Sequence, residues 1–245
     1  MSFWDVTVFL AQGFGVTLLL FVLTLLFSLP LGLVFAFGSM SRWAPFKKLS
    51  FKYSRFNLGG FMPLRWLTRA FVYVIRGTPL LLQLMIITNL PGLVFGVQNA
   101  LVKWPIFGGN ANLAYFCGAL FGFVLNYACY FSEIYRGGIE NIPHGQYEAG
   151  QVLGMTRSQV FFKVILMQVF KNILAPVSNE VITLVKDTAL ARAFLVYEIY
   201  FCAERLLSEK MIIWPLFYTG AFYLVFNSLL TFLFNKLERR MARYS

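Results

Sequence analysis

Asn141 to Gln168 runs N-I-P-H-G-Q-Y-E-A-G-Q-V-L-G-M-T-R-S-Q-V-F-F-K-V-I-L-M-Q, a polar interruption between two long apolar segments. Pro143 suits a helix opening, where its missing N–H would have had no partner anyway. Glu148 then falls early in that helix, where a carboxylate meets the positive end of the dipole. Ala149 and Gly150 carry almost no side chain, so another protein's surface can come close. Gly154 suits a helix end, because glycine takes the left-handed cap without a Cβ clash. Apolar positions return at Val160, Phe161, Val164 and Ile165. The stretch predicts a short cytosolic docking helix, a glycine turn and re-entry into an apolar layer.

Composition sets the class. Apolar residues make up 59% of 245 and charged residues 13%, with a mean hydropathy of +0.69. A soluble domain carries charge at about 25% of positions, so the chain reads as an all-α integral membrane protein. Its net charge of +11 raises nucleic-acid binding as an alternative. The placement of that charge argues against it. Arg42, Lys47, Lys48, Lys52, Arg55, Arg65 and Arg69 cluster without an acid, and Lys236, Arg239, Arg240 and Arg243 close the chain. Basic clusters beside apolar spans mark cytoplasmic flanks. Cys117, Cys129 and Cys202 are too scattered for a disulfide framework or a metal site. With His144 the sole histidine, neither a histidine metal cluster nor a Ser–His–Asp triad has material.

Five spans follow from the apolar runs, at about 8–37, 66–90, 113–135, 161–185 and 212–234, each at or above the roughly 20 residues that a bilayer requires. A cleavable signal peptide fits poorly, because the first run is too long and nothing basic precedes it. The basic linker 39–65 behind that run puts the N-terminus outside and the C-terminus in the cytoplasm. The linker's Trp43, Phe46, Phe51, Tyr53, Phe56 and Phe61 suit either a segment lying on anionic headgroups or a plain cytosolic loop. Gly77-Thr78-Pro79 predicts a kink or break in the second span, and Arg76 beside it faces either the protein interior or the membrane surface. Residues 91–112 read as an outside loop, and 188–210 as an outside segment with short helical pieces.

Two polar stripes stand out. Asn126, Tyr130 and Glu133 share one face of the third span, although Glu133 also suits a local ion pair with Arg136. Glu180, Thr183 and Asp187 share a face of the fourth span with Pro176. Polar groups on a membrane helix avoid lipid, so this stripe lines a watery path or bonds to a neighbouring helix. A zwitterionic solute needs a cation and an acceptor, which Lys186 or Arg76 with Asp187 or Glu180 can supply.

Glu148-Ala149, Gly154 and Ile165-Leu166 together resemble the "EAA loop" of bacterial ABC importer permeases. Arg76-Gly77-Thr78-Pro79-Leu80-Leu81, Glu133 to Ile139, Ile142 to Gln146, and Asn179-Glu180 through Lys186-Asp187-Thr188 resemble the polar amino-acid uptake branch. The resemblance covers roughly the whole chain, with departures at Gly150, at Met167 where proline is usual, and at Tyr73 where an acid is often found. It implies a single permease domain over 1–245 in the bacterial inner membrane, translocating a polar amino acid by alternating access. Loop 141–160 would couple to the ATPase through Glu148, Ala149, Gly150, Gly154 and Arg157. The implied partners are ATP-binding subunits, a second permease subunit (identical or paralogous), and an extracytoplasmic amino-acid-binding protein. ATP and magnesium would bind the partner ATPase. Glu180, Thr183, Lys186, Asp187, Arg76, Asn126 and Glu133 are the pathway candidates.

No G-x-x-x-x-G-K-[S/T], H-E-x-x-H or G-x-S-x-G motif occurs, so catalytic residues and bound metals are not expected. A secondary transporter driven by an ion gradient is the rival reading, and it would show internal repeats with paired interrupted helices. No such repetition is visible. Replacing Gly154→Asp strains the turn behind the docking helix, so solute uptake is expected to be lost while the protein still reaches the membrane; wild-type uptake by that variant would refute the role.

Overall fold

The computed structural model describes residues 2–43, 62–96, 100–103 and 105–242, and among them every regular element is helical. Lys47, Lys48, Lys52, Arg55 and the aromatics Phe46, Phe51, Tyr53, Phe56 and Phe61 of the basic linker lie outside the described residues, as does Arg243.

Helix α1 covers Phe3–Met40, longer at both ends than expected. A capping box opens it: Asp5 N–H donates to Ser2 Oγ at 3.3 Å, and Ser2 N–H donates to Asp5 Oδ2 at 2.8 Å. Its buried stripe is mostly small: Gly13, Thr17, Thr24, Ser28, Gly32, Ala36 and Ser39, with Leu20 and Phe21 between. Small residues let two backbones approach closely where lipid offers no hydrophobic drive. A Cβ on Gly32 would lie 2.9 Å from the Ala128 carbonyl oxygen and 2.9 Å from Phe131 Cβ, both on α5, which covers Ala111–Glu140.

The second span is two helices. α2 (Pro63–Gly77) and α3 (Leu80–Phe95) meet at 108°. Thr78 between them is extended at φ −117° and ψ 147°, as the residue before a proline prefers. Pro91 does not end the span, contrary to the expected loop at 91–112. α3 carries it and stops at Gly96, which is left-handed at φ 64°. A short α4 (Ala100–Lys103) and a 3-10 turn at Pro105–Phe107 fill part of that loop. Asn110 then caps α5, its side chain accepting from Leu113 N–H at 3.1 Å.

α6 (His144–Val152) leads to a left-handed Gly154 at φ 74°. α7 (Arg157–Val160) opens with a Thr156–Gln159 capping box, and a π turn at Phe161–Ile165 passes into α8 (Leu166–Asp187). A 3-10 segment at Thr188–Phe194 extends the same apolar rod. α9 (Ile199–Lys210) and α10 (Trp214–Ala242) complete the chain. Four described helices are long and apolar enough to cross a membrane, and the bent pair makes five if it counts as one span. The apolar window of α10 is only 6% buried, so this helix faces outward from the chain.

The main core joins Leu20 and Phe21 of α1 to Leu84, Phe123, Tyr127, Phe131, Val181 and Leu184. A smaller cluster holds α9 on α1 through Val6, Leu10, Ile199, Cys202 and Leu206. There Glu198 is fully buried, accepting from Phe201 N–H at 2.6 Å, Tyr200 N–H at 2.7 Å and Tyr223 Oη at 3.3 Å. Burial pushes its carboxyl up to about 7, against those hydrogen bonds and the Arg192 charge, which pull it down. Gly32→Ala forces α1 and α5 apart and should lower stability by about 1–3 kcal/mol. Gly15→Ala meets open space and should leave the thermal midpoint in detergent unchanged or raised; equal midpoints for the two variants would contradict the close approach.

Candidate functional site

The α2–α3 break shapes one wall of a cavity inside the helical layer. Pro79 has no N–H, so the Ile75 carbonyl, four residues back, loses its ladder donor. Gln83 Nε2 replaces it at 2.6 Å and also donates to Thr78 O at 3.0 Å and Thr78 Oγ1 at 2.8 Å. The Thr78 hydroxyl in turn reaches Val74 O at 3.0 Å and the same Ile75 carbonyl at 3.3 Å. Across the gap, Asn126 Nδ2 donates to Gln83 Oε1 at 2.9 Å. The break is thus hydrogen-bonded to itself and to α5.

The cavity measures about 370 Å³. Thr78, Pro79 and Leu80 form the break side, Asn126, Tyr127 and Tyr130 the α5 side, and Glu180, Thr183 and Asp187 the α8 side. Tyr127 Oη donates to Asp187 Oδ2 at 2.7 Å, fixing one carboxylate against α5. The first turn of α3 has no side-chain cap, so its backbone N–H groups and the positive end of its dipole lie beside the cavity. The expected stripe of Glu180, Thr183 and Asp187 therefore meets the stripe of Asn126 and Tyr130 across one space. Lys186 does not join them. It is exposed and absent from the lining, because consecutive helical residues point about 100° apart.

A second hollow of about 210 Å³ is lined by Arg69, Val72, Tyr73, Arg76, Glu133 and Arg136. Arg76 stands over the Tyr130 ring at 5.1 Å and 3.6 Å from Glu133. Arg136 holds both Glu133 oxygens, at 3.1 and 2.6 Å, and reaches Glu140 at 2.6 Å. Arg69 Nε donates to the Ser39 carbonyl at the end of α1 at 3.1 Å and lies 4.0 Å from Glu140. Glu133 thus serves the local pair with Arg136 and the contact with Arg76 together. Tyr73 is 80% exposed and contributes no charge.

The second region is α6 with its turn. Glu148, Ala149 and Arg157 are exposed. Gly150 is not: it is buried against Val160 of the same chain, which a Cβ would meet at once. Its small size thus serves packing of α6 on the following helix. Ile142, Val160, Ile165, Val169 and Ile173 form one buried cluster, with Tyr147 and Ile139 packed against it. That cluster ties α6 to the ends of α5 and α8. Val152 and Leu153, missed in the sequence, are 87% and 77% exposed. Apolar residues ending a polar helix were the available signal. His144 begins α6, its ring 6.4 Å from Tyr147.

Residues 58–243 match the family described as binding-protein-dependent transport system inner membrane component. The chain is 35% identical over 245 residues to the L-cystine transport system permease protein TcyB of Bacillus subtilis (strain 168), covering 99% of this chain and 89% of that protein. It is 35% identical over 239 residues to the octopine transport system permease protein OccM of Rhizobium radiobacter, covering 96% and 86%. A solved structure, described as the crystal structure of an amino acid ABC transporter with histidines, matches at a TM-score of 0.75 and 28% identity, covering 98% of this chain and 99% of the other.

The cavity geometry separates two neighbours. Asp187→Asn removes a charge held against Tyr127, and transport by the complete assembly should fall about tenfold, the scale of a lost charge-assisted hydrogen bond. Lys186→Ala should stay within about twofold, since about 0.4 kcal/mol or less is at stake for an exposed charge. Equal losses at equal membrane levels would contradict this geometry.

Proposed function

The chain belongs to the binding-protein-dependent transport system inner membrane components, and from that premise we propose that it is the permease subunit through which an ATP-driven ABC importer moves a polar amino acid. As such a component it is a multi-pass inner-membrane protein and not itself an enzyme; its family works with ATP-binding subunits and a substrate-binding protein. The observation that carries the amino-acid reading is the cavity at the broken span, where two carboxylates face an uncapped helix start in a chain similar to the L-cystine permease.

Glu180 and Asp187 offer acceptors for an ammonium, and the first turn of α3 suits a carboxylate, as half-helix starts do at the midplane of transporters. L-Cystine carries two ammonium groups and octopine a guanidinium, so either matches a pair of acids. Asn126 acts through Gln83, while Arg76 and Glu133 pair in the second hollow, with Arg76 over the Tyr130 ring that lines the cavity. That position suits a gate.

The whole chain is read as one domain of five spans, the bent pair counted as one, with the N-terminus outside and α6 in the cytoplasm. Two such subunits, identical or paralogous, line the path, a binding protein delivers solute outside, and ATP with magnesium binds the ATPases beneath. Closure of the ATPases pulls the two α6 helices together. Glu148, Ala149 and Arg157, with Val152 and Leu153, form the contact, and Gly154 sets the angle of the turn. The cluster of Ile142, Val160 and Ile165 makes α5 and α8 follow, so the cavity opens alternately to each side.

Reconstitution tests the reading. Proteoliposomes holding the permease with its ATPase and binding protein should accumulate L-cystine or octopine only when ATP is supplied. Uptake by the permease alone on a proton or sodium gradient would favour the secondary transporter instead.

A further inference from the structure

We propose that Gln83 is a positioning residue for transport: without touching the solute, its carboxamide fixes the angle of the α2–α3 break and registers that break against α5, and so sets the shape of the cavity. The inference rests on reading the cavity as the solute path.

Gln83 interrupts an apolar run, Leu80-Leu81-Leu82-Gln83-Leu84-Met85-Ile86-Ile87, and it is buried, with 7% of its surface exposed. A buried carboxamide without partners would be strongly unfavourable in this setting, and every polar atom of Gln83 is engaged. Its nitrogen stands in for the N–H that Pro79 lacks, bonding the Ile75 carbonyl at 2.6 Å, which the Thr78 hydroxyl reaches only at 3.3 Å. The same nitrogen reaches Thr78 O at 3.0 Å, so one group spans the last turn of α2 and the extended link. Its oxygen takes Asn126 Nδ2 at 2.9 Å, from the opposite wall. Thr78, Pro79, Leu80 and Asn126 all line the cavity, whereas Gln83 does not. The residue therefore lies behind both walls and holds them in fixed relation.

Local packing alone cannot do this. Leu84, the next residue, packs in the main core with Phe123 of α5, which presses α3 against α5 but does not satisfy the open carbonyls of the break. Direction comes from hydrogen bonds, which lose strength steeply away from linear geometry.

The test uses the complete importer in proteoliposomes, with L-cystine as probe and Gln83→Leu and Gln83→Asn as variants; the shorter Asn cannot bridge both walls. A second readout needs no solute: labelling of Thr183→Cys by a membrane-impermeant methanethiosulfonate, with Cys117, Cys129 and Cys202 replaced by alanine. Both Gln83 variants should raise KM about tenfold, the scale of a lost buried hydrogen bond. The kcat per inserted molecule should stay within about twofold on the same scale, and the labelling rate should shift. Unchanged KM and labelling would overturn the assignment. So would failure of both variants to accumulate, or a fall in kcat with KM unchanged, since these mark a residue that only holds the fold. If the wild type does not move L-cystine but labelling still responds to Gln83, the proposed solute is wrong and the positioning role stands.

Discussion

A carbonyl inside an apolar layer must find a donor within the protein, because lipid supplies none. Pro79 removes a donor at the point where the second span turns by 108°. The rest of the central architecture answers that one deficit. Gln83 supplies the missing bond to Ile75, Thr78 closes the turn before it, and Asn126 anchors Gln83 from α5. The bend then leaves an open helix start facing inward, and α8 brings two carboxylates to the same space. A straight helix through residues 63–95 would still have lacked the donor at Pro79 and met its ring one turn back.

The end of the turn behind α6 and one wall of the cavity lie on the same rod, which runs from Arg157 to Phe194. The buried cluster around Ile165 sits at the start of α8, and Glu180 and Asp187 lie further along it. Because Gly150 packs on Val160 with no room for a side chain, α6 cannot slide freely over the helix that follows. A chain of charges from Arg69 through Glu140, Arg136 and Glu133 to Arg76 links α2 to α5.

What the sequence makes legible follows from regularity. Long apolar runs reveal spans, and Gly77-Thr78-Pro79 reveals a break, because both depend on local chemistry alone. Glu180, Thr183 and Asp187 could be placed on one face because α8 keeps helical spacing through them. Lys186 offers a cation next to Asp187 in the sequence, yet on a helix a neighbour in sequence is not a neighbour in direction. Gln83 escaped because its partner Ile75 is eight positions back in the chain, within reach only once the bend exists. Its other partner, Asn126, is 43 positions away, a pairing that no periodicity encodes. The smallness of Gly150 does not by itself say which neighbour needs the room, and that neighbour is Val160 of the same chain. Pro91 carries a loop signal in the sequence, yet the helix runs through it to Phe95.

The π turn at Phe161–Ile165 has a consequence for how such a chain can evolve. A π turn amounts to one surplus residue lodged in an otherwise regular helix. Losing it would leave a sound α-helix while swinging everything downstream by roughly 100° around the axis. Glu180 and Asp187 would leave the cavity together, and a different stripe of α8 would take their place, with α6 undisturbed. A single codon gained or lost here would therefore re-aim the polar stripe of α8 while leaving α6 in place.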